Sequence, residues 1–425
     1  LSVPGDKSIS HRALLLAAMA AGTSEVRGLS DGGDVGRTAA AVVGLGAAVD
    51  GTRITGGRWR APERALDMGN SGTTIRLLAG AVAGRPFTTV LGGDASLSSR
   101  PMDRVAEPLR LMGGRVDGDG TRCYPPLIIR GGRLHGIDYT PPMASAQVKS
   151  CVLLAGLQAE GETIVREPVP TRLHTEELLA RCGADIARHR DDADAGTGMG
   201  TGLVIRLRPG PLDPFTLDVP GDPSQAAFWL VAACVVPGSD VTVERIYVGP
   251  GRRGYLDVLA RMGADIDEAP VTGPGDLAAT ATVRARCGSL RGTTVEAAEI
   301  TGLDEVPVLA VAAACAEGTT VFRDMGELRV KESDRLAAVV NLVRAFGGEA
   351  EAEGDALFVH GTHALAAGMF DAGGDHRMAM AAAVAAATVA DGAAVSHVSG
   401  FGSVATSYPG FAADLDALAD GRTAP

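Results

Sequence analysis

The chain has 425 residues, a formal net charge of −12 and an aromatic content of 4%. This length predicts two or three domains with large cores, and the acidic balance argues against general binding of nucleic acid or of anionic membranes. No apolar run is long enough for a membrane span of ~20 residues, and the first residues form an extended segment before a turn rather than a signal peptide. A cytoplasmic protein is therefore expected.

The six cysteines lie far apart and form no Cys-x-x-Cys pair. A buried thiol is the expected state of each, rather than a disulfide or a metal ligand. His360 and His363 are three residues apart in a strand and turn context, a pattern that does not favour a metal site either. The sequence thus predicts neither a bound metal nor a cofactor.

A Val-Pro-Gly-Asp segment occurs at positions 3–6 and again at positions 219–222, each time ahead of an apolar run. In both copies an extended X-Pro segment and a glycine turn lead to a helix whose first N–H groups have no partner within the helix. Such a helix start is suited to binding an anion. Only the first copy adds Lys7 and Arg12, so the first half of the chain is expected to carry more of the charge chemistry.

One structural unit recurs six times along the chain: a polar cluster, an apolar helix of about three turns, a glycine turn and a β-branched strand. These units begin at positions 8, 70, 145, 224, 304 and 376, and the sixth ends at 392–395. A second, amphipathic helix that ends at glycine follows most copies. Because a helix that is apolar on every side must be buried, the first helix of each unit is predicted to lie inside.

Three repeats in each half predict two similar α/β lobes, each repeat with about two helices and three or four short strands. The predicted domains are 5–215 and 216–425, with residues 1–4 crossing to the second lobe or pairing with it. The alternative is a continuous Ala-rich solenoid. The return of Val-Pro-Gly-Asp after three repeats favours two closed lobes.

Cations recur at the predicted helix starts. If the inner helices of a lobe point the same way, their N-termini meet on one face, and these cations would make an anion-directed cleft in an acidic protein. For any one of them alone, a solvated surface cation is the alternative. The cations are Lys7, Arg12, Arg100, Lys331, Arg335 and Arg377.

Two carboxylates accompany these cations. Lys331 and Arg335 would share a helical face, and Glu332 could pair with Arg335 at a spacing of three. This segment is either an exposed ion-paired turn or a phosphate or carboxylate clamp with Glu332 available for proton transfer. Asp304 either caps its helix or serves as a general base. The residues alone predict a metal-independent enzyme or binder of phosphorylated or carboxylated small molecules.

Six motifs, in order along the chain, resemble the 5-enolpyruvylshikimate-3-phosphate synthase (3-phosphoshikimate 1-carboxyvinyltransferase) family of enolpyruvyl transferases. They lie at 4–12, 69–73, 99–102, 145–150, 329–335 and 375–379. The resemblance implies an α/β fold of two similar lobes, each of three βαβαββ repeats with buried inner helices, an inside-out α/β barrel. It also implies transfer of the enolpyruvyl group of phosphoenolpyruvate to the 5-hydroxyl of shikimate 3-phosphate, with release of phosphate, in the shikimate pathway to aromatic amino acids. A monomer without nucleic-acid or membrane partners is expected.

The resemblance further implies which residues contact the two substrates. Shikimate 3-phosphate would be held by Lys7, Ser8, Arg12, Ser145, Ala146, Gln147, Arg172, Asp304 and Lys331. Phosphoenolpyruvate would be held by Lys7, Asn70, Gly72, Arg100, Gln147, Arg335, His376 and Arg377. Asp304 would accept the proton of the reacting hydroxyl, and Glu332 and Lys7 are the candidates for proton transfer at the methylene carbon.

Several positions depart from one branch of that family. Glu327 stands where the branch has Asn, Thr406 where it has Lys, and Ala146 follows the other branch. Lys149 is the candidate to supply the charge missing at Thr406. Glyphosate-insensitive members carry Ala at the position of Gly72, so the glycine predicts sensitivity to this inhibitor.

Two other functions are weighed. The sister enolpyruvyl transferase that acts on UDP-N-acetylglucosamine shares the fold, but it typically carries a reactive Cys before its Arg-Pro, and this chain has no Cys between Gly92 and Arg100. A non-catalytic binder of phosphorylated metabolites is the other possibility. The set of candidate acids and bases argues against such a binder.

Overall fold

The structure, a computed structural model, describes residues 1–191, 202–273, 275, 277–389, 394–419 and 421. The chain forms two compact units. The first unit is Lys7–Val219, and the second unit combines Leu1–Asp6 with Pro220–Pro425. Part of the end predicted for the sixth repeat, at 392–393, lies outside the described residues.

The first unit contains the helices and strands of three repeats. Its helices are α1 Lys7–Met19, α2 Gly33–Gly44, α3 Gly72–Ala83, α4 Ala95–Ser98, α5 Asp103–Leu111, α6 Ala146–Gly156 and α7 His174–Arg181. Its strands are β1 Thr23–Arg27, β2 Ala48–Asp50, β3 Arg53–Thr55, β4 Leu66–Asp67, β5 Thr88–Gly92, β6 Arg115–Asp119, β7 Tyr124–Arg130, β8 Leu134–His135, β9 Asp138–Tyr139, β10 Ala159–Glu160, β11 Thr163–Glu167, β12 Ile186–Asp191, β13 Gly202–Leu207 and β14 Thr216–Asp218.

The second unit repeats this organisation. Its helices are α8 Pro223–Val235, α9 Gly254–Arg261, α10 Val306–Ala314, α11 Arg335–Ala345, α12 His376–Ala387 and α13 Phe411–Ala419, with 3-10 helices at Met325–Val330 and Phe401–Thr406. Its strands are β15 Asp240–Tyr247, β16 Asp265–Pro270, β17 Thr280–Arg286, β18 Thr294–Glu296, β19 Thr319–Arg323, β20 Glu349–Glu353, β21 Ala356–His360, β22 Met369–Asp371 and β23 His397–Ser399.

The first helix of every repeat is buried, as the apolar patterning predicts. All nine residues of α10 are buried, and the other inner helices, α1, α3, α6, α8 and α12, are buried over most of their length. These helices are rich in Ala, Leu and Val on every side, so only a buried position removes their apolar surface from water. A polar residue caps several of these helices: Ser71 accepts from the Thr74 amide before α3, and Asp375 accepts from the Arg377 amide before α12.

The sheets have one recurring topology. In four sheets, two strands pair in parallel and two further strands extend the sheet antiparallel, in the orders β14-β1-β3-β2, β4-β5-β7-β6, β9-β11-β13-β12 and β18-β19-β21-β20. Three of the parallel pairs join the strand before an inner helix to the strand after it, the crossover that parallel neighbours require. The α/β fold with buried inner helices predicted from the sequence is confirmed.

The amphipathic helices end as their glycines predict. Gly183 follows α7 with φ of 76°, and Gly347 follows α11 with φ of 78°, both in the left-handed region. A residue with a side chain would be strained there, so glycine ends the helix at low cost. In the part of the chain that the structure describes, no helix is long and apolar enough to cross a membrane.

The two Val-Pro-Gly-Asp copies meet within the second unit. Gly5 and Gly221 form an antiparallel bridge, the Asp6 amide donates to the Pro220 carbonyl at 2.7 Å, and the Asp222 amide donates to the Pro4 carbonyl at 2.9 Å. Ser2 also bridges in parallel to Glu244 in β15. The segment Leu1–Asp6 thus takes the place beside β15 that a strand preceding an inner helix takes in other repeats.

The predicted thiol state is confirmed for all six cysteines, and the predicted burial is confirmed for four of them. All six cysteines are free thiols, and Cys123, Cys151, Cys182 and Cys234 are buried. Burial raises the pKa of Cys151 to about 12, so this thiol stays protonated at neutral pH. Cys287 and Cys315 are only partly buried.

Candidate active site

In the first unit, Arg12 is bound by residues at three helix starts. Its Nε donates to Thr175 Oγ1 at 2.7 Å, NH1 donates to Ser8 Oγ at 2.7 Å, and NH2 donates to Ser150 Oγ at 2.7 Å. The carbonyl of Ala146 lies 3.5 Å from NH2. Arg12 is 3% exposed. These hydrogen bonds hold the guanidinium group in place, so the N-terminal end of α1 presents a fixed cation beside Ser8 and Ala146.

Lys7 begins α1 and faces a carboxylate of α2. Its Nζ lies 3.0 Å from Asp34 Oδ2, and about a quarter of the lysine side chain is exposed. Asp34 limits the movement of this ammonium group, which stays accessible to an anionic ligand. Asp34 was not singled out from the sequence, because its Gly-Asp-Val-Gly surroundings resemble an ordinary acidic first turn.

The start of α3 is a narrow site formed by a glycine and two arginines. A Cβ placed on Gly72 would lie 2.9 Å from Arg76 NH1 and 3.4 Å from Arg100 NH1. Arg76 NH1 also donates to Gln147 Oε1 at 2.9 Å, and Gln147 Nε2 donates to Thr73 Oγ1 at 3.0 Å. The amide of Gln147 therefore has a fixed orientation at the junction of α3 and α6.

Arg76 is a candidate that the sequence predictions missed. Burial lowers the pKa of its guanidinium to about 10, and the neighbouring cations Arg100 and Arg104 add to the effect. Arg76 therefore remains a cation at neutral pH. The available signal was its position one helical turn after Gly72, as a charge within an otherwise apolar helix.

Arg100 lies at the end of a short turn rather than at a helix start. Its NH2 donates to Asn70 Oδ1 at 2.8 Å and lies 3.4 Å from Ser96 Oγ. The structure therefore brings Asn70, Gly72 and Arg100 together, three of the residues predicted to hold phosphoenolpyruvate. Ser145 caps α6 by accepting from the Val148 amide at 3.4 Å, and Arg172 lies in the loop before α7.

Lys149 does not supply a substrate cation, and that expectation is wrong. Its Nζ lies 2.8 Å from Glu167 Oε2 and 2.8 Å from Glu176 Oε1, and the lysine side chain is 0% exposed. Glu167 also accepts from Thr171 Oγ1 at 2.6 Å. Two buried carboxylates neutralise the lysine, so it stabilises the packing of α6 against β11 and α7. Thr406, whose missing charge Lys149 was to replace, is exposed at the end of a 3-10 helix.

A series of buried, hydrogen-bonded side chains joins α1, α2 and α3. His11 Nδ1 lies 2.7 Å from Thr38 Oγ1, and Thr38 Oγ1 lies 2.8 Å from Thr74 Oγ1. Thr74 Oγ1 in turn donates to Ser71 Oγ at 2.6 Å. Burial, followed by the charge of Lys7, lowers the pKa of His11 to about 3. His11 is therefore neutral in the folded protein at every pH near neutrality.

We expect His11 to make the stability of the protein fall at acidic pH. Between about 3 and 6.5 the unfolded chain binds a proton at His11 that the folded protein does not, so acid favours unfolding by about 1.4 kcal/mol per pH unit. The His11→Gln variant should lose this component in urea unfolding series at several pH values. His135→Gln, a change at an exposed histidine of the same unit, is the control. An unchanged pH slope in His11→Gln would contradict the assignment.

In the second unit, Arg335 is the centre of a carboxylate cluster. Its Nε lies 2.8 Å from Asp375 Oδ2, NH2 lies 2.8 Å from Glu332 Oε2, and NH1 lies 3.2 Å from Asp304 Oδ1. Burial disfavours the charge on Arg335, but these carboxylates outweigh burial and raise its pKa. Burial likewise acts to raise the pKa of Asp375, and Arg335 outweighs it and lowers that pKa to about 2. The predicted pairing of Glu332 with Arg335 is confirmed.

Asp304 lies between two arginines rather than capping α10. Arg377 NH2 lies 3.3 Å from Asp304 Oδ2, and the other oxygen faces Arg335. The residue in the cap position of α10 is Glu305. The Asp304 side chain is 22% exposed, so solvent or a ligand can reach its oxygens. Two cations favour its ionised form, which a proton acceptor needs.

The helix expected to open at Lys331 begins later. Residues 331–334 form bends and a cap, and α11 starts at Arg335, so Lys331 and Arg335 do not share a helical face. Asp334 caps α11 because its side chain accepts a hydrogen bond from the Ala337 amide at 3.1 Å. This local hydrogen bond competes with a helical conformation at Asp334 itself, so the helix begins at the next residue. Lys331 Nζ instead lies 3.0 Å from Glu327 Oε1. His376 is the buried first residue of α12, next to Arg377.

Among the residues described in the structure, no group of three or more His, Cys, Asp or Glu side chains could hold a metal ion. The site residues are instead cations, hydroxyls and carboxylates at or near the starts of helices. Such an arrangement binds and stabilises negative charge.

The chain is similar to proteins of one family over nearly all of its length. The sequence model of the EPSP synthase (3-phosphoshikimate 1-carboxyvinyltransferase) family matches residues 1–415. A 3-phosphoshikimate 1-carboxyvinyltransferase of Acidithiobacillus ferrooxidans is 46% identical over 97% of this chain and 93% of that protein. A protein of the same name from Streptococcus uberis is 42% identical over 98% of this chain and 96% of the relative.

Solved structures agree. The EPSP synthase of Acinetobacter baumannii matches with a TM-score of 0.85 and 38% identity, covering 99% of this chain and 95% of that one. The enolpyruvyl transferase NikO of Streptomyces tendae, at 18% identity and a TM-score of 0.72 over 99% and 94% of the two chains, shares the fold. With its α/β repeats, its anion-directed helix starts and these matches, the chain belongs to the EPSP synthase (3-phosphoshikimate 1-carboxyvinyltransferase) family.

Proposed function

We propose that the protein transfers the enolpyruvyl group of phosphoenolpyruvate to the 5-hydroxyl of shikimate 3-phosphate and releases phosphate. The observation that carries the proposal is the Asp304 carboxylate, held at 3.2 and 3.3 Å by Arg335 and Arg377 in a chain of this family. This arrangement provides a proton acceptor next to fixed positive charge. Both are needed when a neutral hydroxyl attacks an anionic substrate.

The proposed binding group for shikimate 3-phosphate combines fixed cations with hydroxyl and amide groups. Arg12, held by Ser8, Ser150 and Thr175, offers a rigid positive charge for its phosphate. The full group is Lys7, Ser8, Arg12, Ser145, Ala146, Gln147, Arg172, Asp304 and Lys331. Of these, Asp304 is proposed to contact the reacting hydroxyl.

The proposed binding group for phosphoenolpyruvate is richer in arginine, as expected for a ligand with a phosphate and a carboxylate. It comprises Lys7, Asn70, Gly72, Arg100, Gln147, Arg335, His376 and Arg377. We add Arg76, because its contacts with Gln147 and its closeness to Gly72 place a further cation at the same helix start.

The chemistry follows from these groups. A proton added to the methylene carbon of phosphoenolpyruvate creates positive character at the neighbouring carbon, and the 5-hydroxyl oxygen attacks that carbon while Asp304 takes the hydroxyl proton. The tetrahedral intermediate then loses phosphate and one proton of the new methyl group, which restores the double bond. Glu332 and Lys7 are the candidates for the proton transfers at carbon, and the arginines stabilise the developing phosphate charge.

The direct test is release of inorganic phosphate from phosphoenolpyruvate in the presence of a chelator. Shikimate 3-phosphate is the acceptor in one reaction and UDP-N-acetylglucosamine in a parallel one. Release of phosphate with shikimate 3-phosphate but not with UDP-N-acetylglucosamine supports the proposal. Because the chelator is present, it also supports a reaction that needs no metal ion. Release only with the nucleotide sugar would assign the chain to the sister reaction, and binding without release in either would indicate a non-catalytic binder. A cytoplasmic location and a monomeric state remain predictions.

Gly72→Ala is expected to weaken binding of phosphoenolpyruvate and of glyphosate. The new methyl group would lie 2.9 Å from Arg76 NH1 and 3.4 Å from Arg100 NH1, so one guanidinium group must move. We expect KM for phosphoenolpyruvate to rise by about tenfold, equivalent to ~1.4 kcal/mol, with a larger loss of glyphosate inhibition. Steady-state kinetics with and without the inhibitor measure both effects.

Gly36→Ala is the matched control, because a Cβ at Gly36 in α2 meets no atom within 4 Å. It should leave KM and inhibition unchanged. The unsubstituted protein should be inhibited well below millimolar glyphosate. Resistance in the millimolar range, or an unchanged KM in Gly72→Ala, would contradict the proposed position of the inhibitor site.

A further inference from the structure

A buried arginine outside the substrate-binding groups is placed to control Asp304. Arg252 lies in the turn between β15 and α9 and is 4% exposed. Its NH2 group lies 3.1 Å from Asp6 Oδ2 and 2.8 Å from Asp222 Oδ1, and NH1 lies 3.5 Å from Glu305 Oε1. One buried cation thus meets three carboxylates, all within the second unit.

The cluster joins both Val-Pro-Gly-Asp copies to the start of α10. Asp6 and Asp222 are the last residues of the two copies, and Asp222 also caps α8 by accepting from the Ser224 amide at 2.8 Å. Ser224 Oγ donates to Glu305 Oε1 at 2.5 Å. The Glu305 side chain is therefore fixed at one oxygen by both Arg252 and Ser224.

Fixing Glu305 also fixes Asp304, the residue before it. The Glu305 carbonyl accepts from the Leu309 amide at 3.0 Å, the first helical hydrogen bond of α10, so its backbone is part of the helix start. Arg252 and Ser224 hold the Glu305 side chain, and the hydrogen bond from Leu309 holds its backbone. The peptide that joins Asp304 to Glu305 therefore has little freedom to move. The Asp304 carboxylate then has one orientation toward Arg335 and Arg377.

Arg252 and Asp304 also interact through their charges. Burial disfavours the charged form of Arg252, but the negative charges of Asp6, Asp222, Glu305 and Asp304 outweigh burial and raise its pKa. Coulombic coupling is reciprocal, so the Arg252 cation favours the ionised form of Asp304 in turn.

Several charged groups face Asp304. Arg335 of α11 and Arg377 of α12 contact it directly, and Glu305 of α10 and Arg252 act from the interior. Asp375 and Glu332 act through Arg335.

We propose that Arg252 is a positioning residue for the reaction: with Glu305 and Ser224 it fixes the orientation of Asp304 and contributes to keeping that carboxylate ionised. The inference rests on the proposed role of Asp304 as the base. Arg252 itself would not contact substrate, since it is buried among carboxylates of its own unit. Removing it should change turnover and its pH dependence more than substrate affinity.

The test compares pH profiles of kcat for phosphate release in the unsubstituted protein and in the Arg252→Met and Glu305→Gln variants. Loss of the Arg252 cation should move the acidic limb of the profile to higher pH by roughly 0.5 to 1 unit, and loss of the Glu305 charge should move it to lower pH. kcat at neutral pH should fall by about tenfold in Arg252→Met, with both KM values within about twofold. A merely structural role would not shift the limb in opposite directions.

Two further variants complete the test. Arg253→Met removes the neighbouring exposed arginine, which pairs with Asp257 and Glu268, and should leave the profile unchanged. Arg252→Lys retains the charge and should keep the acidic limb while lowering kcat. If Arg252→Met does not fold, Glu305→Gln and Arg252→Lys decide the question.

An acidic limb that stays fixed in Glu305→Gln, or that moves the same way in both charge variants, would overturn the inference. If the unsubstituted protein releases no phosphate at any pH, the proposed function fails instead. The two failures are therefore distinguishable in one data set.

Discussion

Asp304→Asn is expected to lower kcat by roughly 10²- to 10⁴-fold. Asparagine has the same shape and can still face Arg335 and Arg377, but it cannot accept the hydroxyl proton. Binding of shikimate 3-phosphate, measured by calorimetry, should survive because the cations and hydroxyls around Arg12 are untouched. The loss should therefore appear in turnover and not in folding.

The control for this change is Asp257→Asn, the same substitution at an exposed carboxylate on α9. It should leave kcat within about twofold. Near-native turnover in Asp304→Asn would remove Asp304 from the role of base. Glu332, the more exposed of the two other carboxylates that contact Arg335, would then be tested in its place.

Lys149→Met is expected to cost about 3–5 kcal/mol of unfolding free energy. The change leaves Glu167 and Glu176 without their cation, although both side chains are almost wholly buried, at 2% and 0% exposed. Two buried carboxylates without a cation lower the free energy of unfolding far more than the apolar side chain of methionine raises it. Urea unfolding followed by circular dichroism measures the loss directly.

Arg166→Met provides the comparison on the same sheet. Arg166 in β11 pairs with Asp138 at 2.8 Å, but both side chains are more than a third exposed. Solvent screens such a pair, so its loss should shift the urea midpoint only slightly. Equal losses in the two variants would mean that burial does not decide the strength of these ion pairs.

The sequence predicted the fold better than the details of the site. Six apolar runs that follow polar clusters were enough to place α1, α3, α6, α8, α10 and α12, because a helix apolar on every side can only be buried. The start of α11 was predicted too early at Lys331. Asp334 competes with the helix by capping it, and sequence spacing alone does not show which of several polar residues takes that position.

The site contacts that were not predicted from the sequence join side chains of different helices and strands. The spacing of Lys149 from the start of α6 resembles that of a ligand-binding cation, yet Glu167 and Glu176, distant along the chain, neutralise it in the interior. Arg252 stands beside Arg253, and nothing local tells the buried arginine from the exposed one. Glu332 and Arg335 were predicted to pair because that contact is local, three residues apart.

The place of Leu1–Asp6 beside β15 has a consequence for synthesis on the ribosome. The backbone nitrogen of Leu1 donates to the Thr242 carbonyl at 2.9 Å, across a sequence separation of 241 residues. At the usual rates of translation, roughly 10 to 50 seconds pass between the emergence of these two partners. Leu1–Asp6 therefore leave the ribosome before the whole first unit but reach their native neighbours only after that unit has been synthesised, and the nascent chain must keep them accessible while Lys7–Val219 assembles.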